Sequence, residues 1–134
     1  MRYLGIDFGL KRIGLAVTDP GGRLAFPLAT LAKKDRAGFF NELLSVLESE
    51  KIEAIVVGWP RSLDNRETLR CRQVQNFVRR LQRRTDLPVY LADESLSSEE
   101  AAERLQAAGL SPERRRARLD QEAAVIILQR HLNA

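Results

Sequence analysis

Four acidic residues sit where the patterning of this chain can bring them together: Asp7, the adjacent pair Asp93 and Glu94, and Asp120. In Tyr3-Leu4-Gly5-Ile6-Asp7-Phe8-Gly9, the apolar Leu4, Ile6 and Phe8 alternate with Gly5 and Asp7, which places a carboxylate near the end of a strand. Aspartate is depleted in strands, and a partly buried carboxylate is costly unless a cation compensates it. The compensator is a metal ion, or Lys11 or Arg12 in the turn that follows; the plainer alternative is an Asp that only starts that turn. Asp120 shares a helical stripe with Ala124 and Ile127, at i+4 and i+7, so it faces the core; its plainer alternative is a helix-start acid paired with an arginine just before it. One cysteine, Cys71, and one histidine, His131, leave no Cys/His set for zinc, so a metal would be held by oxygen. Oxygen ligands select hard cations, Mg²⁺ or Mn²⁺. Such ions activate a water and stabilise the leaving oxygen of a phosphodiester, with Lys11 and Arg12 placed to neutralise phosphate charge. The expected catalytic and metal-binding set is therefore Asp7, Glu94 and Asp120, with Asp93 the alternative middle acid.

The elements that must position these groups follow from periodicity. A second strand, Ile13 to Val17, pairs antiparallel with the first across a short turn. Asp19-Pro20-Gly21-Gly22 turns the chain into a third strand, Leu24 to Thr30, and Pro27 inside it predicts a sheet edge. Asp35 caps a helix carrying Phe39, Phe40, Leu43, Leu44 and Leu47, which ends near Lys51. The run from Ile52 to Gly58 lacks alternation and reads as a buried parallel strand. Asp64 and Glu67 form a capping box for a helix whose inner stripe is Val74, Phe77, Val78 and Leu81, with Arg70, Arg72, Arg79, Arg80, Arg83 and Arg84 largely outside it. A fifth strand spans Leu87 to Ala92. Ser97 to Glu100 is a second capping box, for a helix closing at Gly109, and Ser111-Pro112 opens the last helix. The order predicts an α/β fold: a five-stranded mixed sheet, three antiparallel strands and then parallel ones, flanked by helices on both faces. Loops splay where the parallel strands end, and Asp7, the Gly58-Trp59-Pro60 loop and Glu94 all fall at that edge. Trp59 reads as packing over the strand end, with base stacking as the alternative.

At 134 residues the chain reads as one domain, 1–134. It has no apolar run near the ~18 residues of a membrane span and goes directly into a strand, so no membrane association and a cytoplasmic location are expected. The net charge of +4, carried mainly by arginine, suits a polyanion. Arg114, Arg115, Arg116 and Arg118 stand at a helix start, against the dipole, which invites an external anion; Arg115 and Arg116 are the expected phosphate contacts there.

Gly5-Ile6-Asp7-Phe8-Gly9 with Lys11-Arg12-Ile13-Gly14, then Val57-Gly58-Trp59-Pro60, Asp93-Glu94-Ser95-Leu96-Ser97-Ser98, and Asp120 with Ala123 to Gln129 resemble the YqgF/RuvX family over nearly the whole chain. The resemblance implies an RNase H-like fold related to the RuvC Holliday junction resolvases, and a bacterial nuclease that processes the 5′ end of pre-16S rRNA. It also implies Asp7, Glu94 and Asp120 as catalytic acids holding Mg²⁺ or Mn²⁺, and Lys11 and Arg12 as substrate contacts. This chain has Ser95 where the family commonly has arginine, Asn65 where a glycine often stands, and Ala123 where RuvC-type resolvases carry a further acid. The expected function is metal-dependent hydrolysis of structured nucleic acid, pre-rRNA or branched DNA, by a monomer or homodimer. Two alternatives are a non-catalytic nucleic-acid-binding module of the same fold, and an actin-like ATPase built on the Asp-x-Gly hairpin.

Overall fold

The alternating strands expected at the N-terminus form in the computed structural model, which describes residues 1–60, 69–95 and 97–134. Strands β1 (Tyr3–Phe8), β2 (Arg12–Thr18) and β3 (Ala25–Ala32) make an antiparallel meander. Asp19 ties its second turn, its Oδ1 accepting the amides of Arg23 and Leu24 at 2.9 and 2.8 Å. Helix α1 (Arg36–Ser49) starts at Asp35, whose side chain accepts the Gly38 amide at 2.7 Å. Strand β4 (Ala54–Trp59) then pairs parallel with β1, and after α2 (Leu69–Gln82) strand β5 (Val89–Asp93) pairs parallel with β4. Helices α3 (Ser97–Ala107) and α4 (Pro112–Leu132) follow, α4 capped by the Ser111 hydroxyl, which accepts the Arg114 amide.

The sheet order is β3-β2-β1-β4-β5. Pro27 therefore lies on an edge strand, as a residue with no N–H to give requires. One face of the sheet packs Leu4, Ile6, Ile13, Leu15, Ile55 and Val57 against the apolar stripes of α1 and α2. The other face packs Ala16, Val56 and Ala92 against Ala124, Ile127 and Leu128 of α4. Beyond α4, Ala123 and Ile126 meet Ala101 of α3, so α3 forms an outer layer on that side.

The differences from expectation are local. β3 runs one residue later at its start and two at its end, and β5 occupies 89–93 in place of 87–92, as the other edge strand. Ser97 lies inside α3 and does not cap it; its amide donates to Glu94 O. The Asp64–Glu67 capping box and Asn65 lie outside the described residues. Trp59 packs against the α1–α2 core, as read from its neighbour Pro60. No helix among the described residues is long and apolar enough to cross a membrane.

Candidate active site

Asp7 lies in register with Gly14 on the neighbouring strand, one residue from the end of β1. Period two puts it on the α4 face of the sheet, where only 8% of it is exposed. Glu94 follows β5, its amide donating to Trp59 O and so extending the β4–β5 register by one step. It continues the face of buried Ala92, opposite to Asp93, and is likewise 8% exposed. The alternation separates the two candidate middle acids. Asp93 turns outward and accepts the amide and hydroxyl of Ser95 at 2.9 and 2.7 Å. Glu94 turns inward.

Two glycines allow α4 to come down onto these acids. A β-carbon at Gly14 would overlap the Asp120 carbonyl, so Asp120 reaches the sheet only because Gly14 has no side chain. A β-carbon at Gly58 would lie 2.7 Å from Ile127 Cδ1 and 2.8 Å from Glu94 Oε2. The third acid thus arrives over Gly14 of β2, across from Asp7 near the end of β1, on the face its helical stripe predicts.

The electrostatics are those of an acid cluster short of positive charge. Burial pushes the Asp7 carboxyl up to about 7, and the charges of Glu94 and Asp120 push the same way against the pull of Arg70. Burial also raises Glu94, opposed by Arg70 through charge and hydrogen bonding. Arg70 Nε donates to Glu94 Oε1 at 3.1 Å, and its Nη2 donates to Phe8 O, also at 3.1 Å. One guanidinium thereby ties the middle acid to the strand that carries Asp7. Glu94 Oε2 is buried and has no hydrogen-bond partner among the described residues. Buried carboxylate oxygens are nearly always paired, so this one is open to a proton or a cation.

Arg12 Nε donates to Asp120 Oδ2, which joins the β1–β2 turn to α4. Among the described residues no three acidic, histidine or cysteine side chains stand close enough to cage one ion in this conformation. Asp7 and Glu94 fit a hard cation by donor type and by the orphaned Glu94 oxygen. Asp120 is engaged by Arg12 in this conformation.

Of the expected substrate contacts, Arg12 is at the cluster and Lys11 lies exposed in the same turn. Arg115 and Arg116 are not brought to the acids. They line a groove between α3 and α4 with Ala102, Gln106 and Leu119, starting one helical turn before Asp120. The residue that sequence reading missed is Arg70, expected outside the α2 stripe. Its phase gave the signal: Val74 at i+4 and Phe77 at i+7 are both buried, the same relation that singled out Asp120. Arg130 was also missed. Its guanidinium donates to the carbonyls of Asp93 and Ser95 at 3.2 and 2.8 Å, so a cation from α4 fastens the turn where Ser95 provides none.

The match to known proteins is extensive. The family model described as "RuvX: Holliday junction resolvase" matches residues 1–134. The protein named "Putative pre-16S rRNA nuclease" in Nitratidesulfovibrio vulgaris (strain Miyazaki F) is 56% identical over 133 residues, covering 99% of this chain and 94% of that one. A protein of the same name in Oleidesulfovibrio alaskensis is 55% identical, covering 99% and 92%. Thermus thermophilus RuvC, solved in complex with a Holliday junction substrate, superposes with a TM-score of 0.61 at 18% identity, covering 99% of this chain and 94% of that one, a likeness of fold. With the sheet order, the acid-bearing strand ends and the full-length match all in agreement, the chain belongs to the RuvX family.

Proposed function

We propose that the protein is a divalent-metal-dependent nuclease that acts in the cytoplasm as one domain, 1–134, and processes the 5′ end of pre-16S rRNA. That it is a nuclease, a hydrolase of phosphodiester bonds, rests on the family and on relatives more than half identical over nearly their whole length. The catalytic and metal-binding acids in this reading are Asp7, Glu94 and Asp120. The observation that carries it is the buried Oε2 of Glu94, without a hydrogen-bond partner among the described residues, beside an Asp7 whose ionisation is suppressed by burial and by its acidic neighbours. A Mg²⁺ or Mn²⁺ held there would supply a nucleophilic water at neutral pH and charge stabilisation for the departing oxygen.

The chain's own groups do the rest. Arg70 fixes Glu94 by one oxygen and leaves the other facing inward. Arg12 and Lys11, on the exposed turn beside Asp7, receive the phosphate; Arg12 exchanges the Asp120 carboxylate for a phosphodiester oxygen as the strand settles, and Asp120 is then free to turn toward Asp7. The pairing of Arg12 with Asp120 also supports the other reading, a binding module whose acids are engaged structurally. Cleavage of a structured RNA with added Mn²⁺ separates the two. The wild-type protein is expected to cut, and Asp7→Asn to bind the RNA with unchanged affinity while losing at least about 10²-fold in rate. Equal cutting by Asp7→Asn sinks the catalytic assignment.

A further inference from the structure

On the face of the sheet opposite Asp120, the end of β1 opens into a groove that the hydrolytic reading leaves unused. Its deeper part is a cavity of about 220 Å³, lined by Phe8, Phe39 and Phe77, each more than nine-tenths buried in the α1–α2 core. The rim of this part carries Lys33, Lys34, Arg36 and Arg80. A second hollow of about 190 Å³ shares Phe8, Lys33 and Arg80 with the first and adds Leu10, Gln73 and Asn76. The two hollows adjoin across this shared wall, one toward the β1–β2 turn and α2, the other toward the start of α1. Asp35 is the one carboxylate among its lining residues, and the Gly38 amide already holds it as the α1 cap. Lys33 fixes the junction of the two parts: its Nζ donates to Gly9 O at 2.8 Å and lies 3.9 Å from the centre of the Phe8 ring.

These three kinds of lining point to one kind of occupant. A duplex keeps its bases stacked inside and offers a basic surface mainly phosphates, so an apolar lining and amide side chains would have nothing to meet. An unpaired strand presents base faces, base edges and phosphates at once. We propose that this groove takes an unpaired flank of the nucleic-acid substrate, a base entering the phenylalanine-lined cavity, Gln73 and Asn76 at base edges, and the phosphates on Lys34, Arg36 and Arg80. Phe8 directly follows Asp7 in β1 and faces the other side of the sheet, so a strand leaving the acids would round the end of β1 to reach the groove. The substrate class is then a paired element with a single-stranded flank beside the cut, in preference to a fully paired four-way junction. This depends on the nuclease reading only for what the acids do to the strand, since binding in the groove needs no metal.

Binding is measured by fluorescence anisotropy in EDTA with an RNA hairpin bearing an unpaired flank, the same hairpin with a blunt end, and a four-way junction. The wild-type protein is expected to prefer the flanked hairpin to the blunt one by about tenfold. Lys34→Ala with Arg80→Ala, and separately Gln73→Ala with Asn76→Ala, which removes no charge, should each bring that ratio close to one. Asp7→Asn should keep it. Equal binding of flanked and blunt hairpins by the wild-type protein, tighter binding of the junction, or a ratio that survives both double variants overturns the proposal. A ratio lost to the same extent in Arg115→Ala with Arg116→Ala moves the flank to the α3–α4 groove and overturns it too. An intact ratio without Mn²⁺-dependent cleavage sinks the catalytic assignment and leaves the groove standing; cleavage with a ratio of one does the reverse.

Discussion

Asp7 is held in a position that its own charge opposes, and this has a measurable sign. Its folded pKa of about 7 lies above the ordinary 3.8, so the folded state holds a proton that the unfolded chain gives up. The contribution of Asp7 to stability is therefore complete below pH 3.8 and lost progressively as pH rises through 7. In metal-free buffer, Asp7→Asn should match the wild-type protein near pH 4 and exceed it at pH 8 by on the order of 2–4 kcal/mol in urea unfolding. A difference that does not change with pH contradicts this account of the site. Arg70 acts the other way. Removing it leaves Glu94 buried without its one strong partner, so Arg70→Ala should cost roughly 1–2 kcal/mol, a figure kept low because Arg70 is itself half exposed. If it positions Glu94, Mn²⁺ affinity measured by calorimetry should fall in Arg70→Ala and partly recover in Arg70→Lys, whereas a merely structural role would lower the melting temperature and leave affinity unmoved.

At the scale of elements, the site exists because α4 lies directly on the strands. Gly14 and Gly58 set that distance, but they differ in what blocks a side chain. At Gly14 the obstacle is the backbone of α4 at Asp120, which moves only with the helix. At Gly58 it is the end of Ile127 and the Glu94 carboxylate, which can rotate. Gly14→Ala should destabilise by about 1–3 kcal/mol and displace Asp120 from the cluster, while Gly58→Ala should cost less in thermal unfolding but disturb Glu94. Equal losses in the two melting temperatures would mean that α4 is free to shift. Ala123 belongs to the same packing: it is fully buried against Ala101 of α3, so the position at which RuvC-type resolvases carry a further acid is here closed by the α3–α4 contact. Glu122, about 200° round the helix from Asp120, pairs with Arg104 and is no substitute.

At the scale of the whole molecule, the net charge of +4 understates the local fields. Arg115 and Arg116 line one groove and Lys34, Arg36 and Arg80 another, on opposite sides of the acid edge. Each phosphate contact releases counterions, so Arg115→Ala with Arg116→Ala should flatten the log–log salt dependence of RNA binding by about one to two. An unchanged slope would remove both from the substrate path. Strand count, the antiparallel-then-parallel order, the edge position of β3 and the inward face of Asp120 all followed from periods of 2 and 3.6 and from a proline that cannot donate, because these depend on neighbours a few residues away. Glu94 was separable from Asp93 on the same ground, by its alternation with Ala92, although the sequence reading left the two open. Arg70 had the right phase yet was placed outside, since a charged side chain at a helix start is ordinarily solvated and only the approach of Glu94 and Phe8 O draws it in. The pairing of Arg12 with Asp120, the orphaned oxygen of Glu94 and the groove behind Phe8 join residues far apart in the chain. Their geometry is set by how closely α4 and α2 settle on the sheet, which local pattern does not encode.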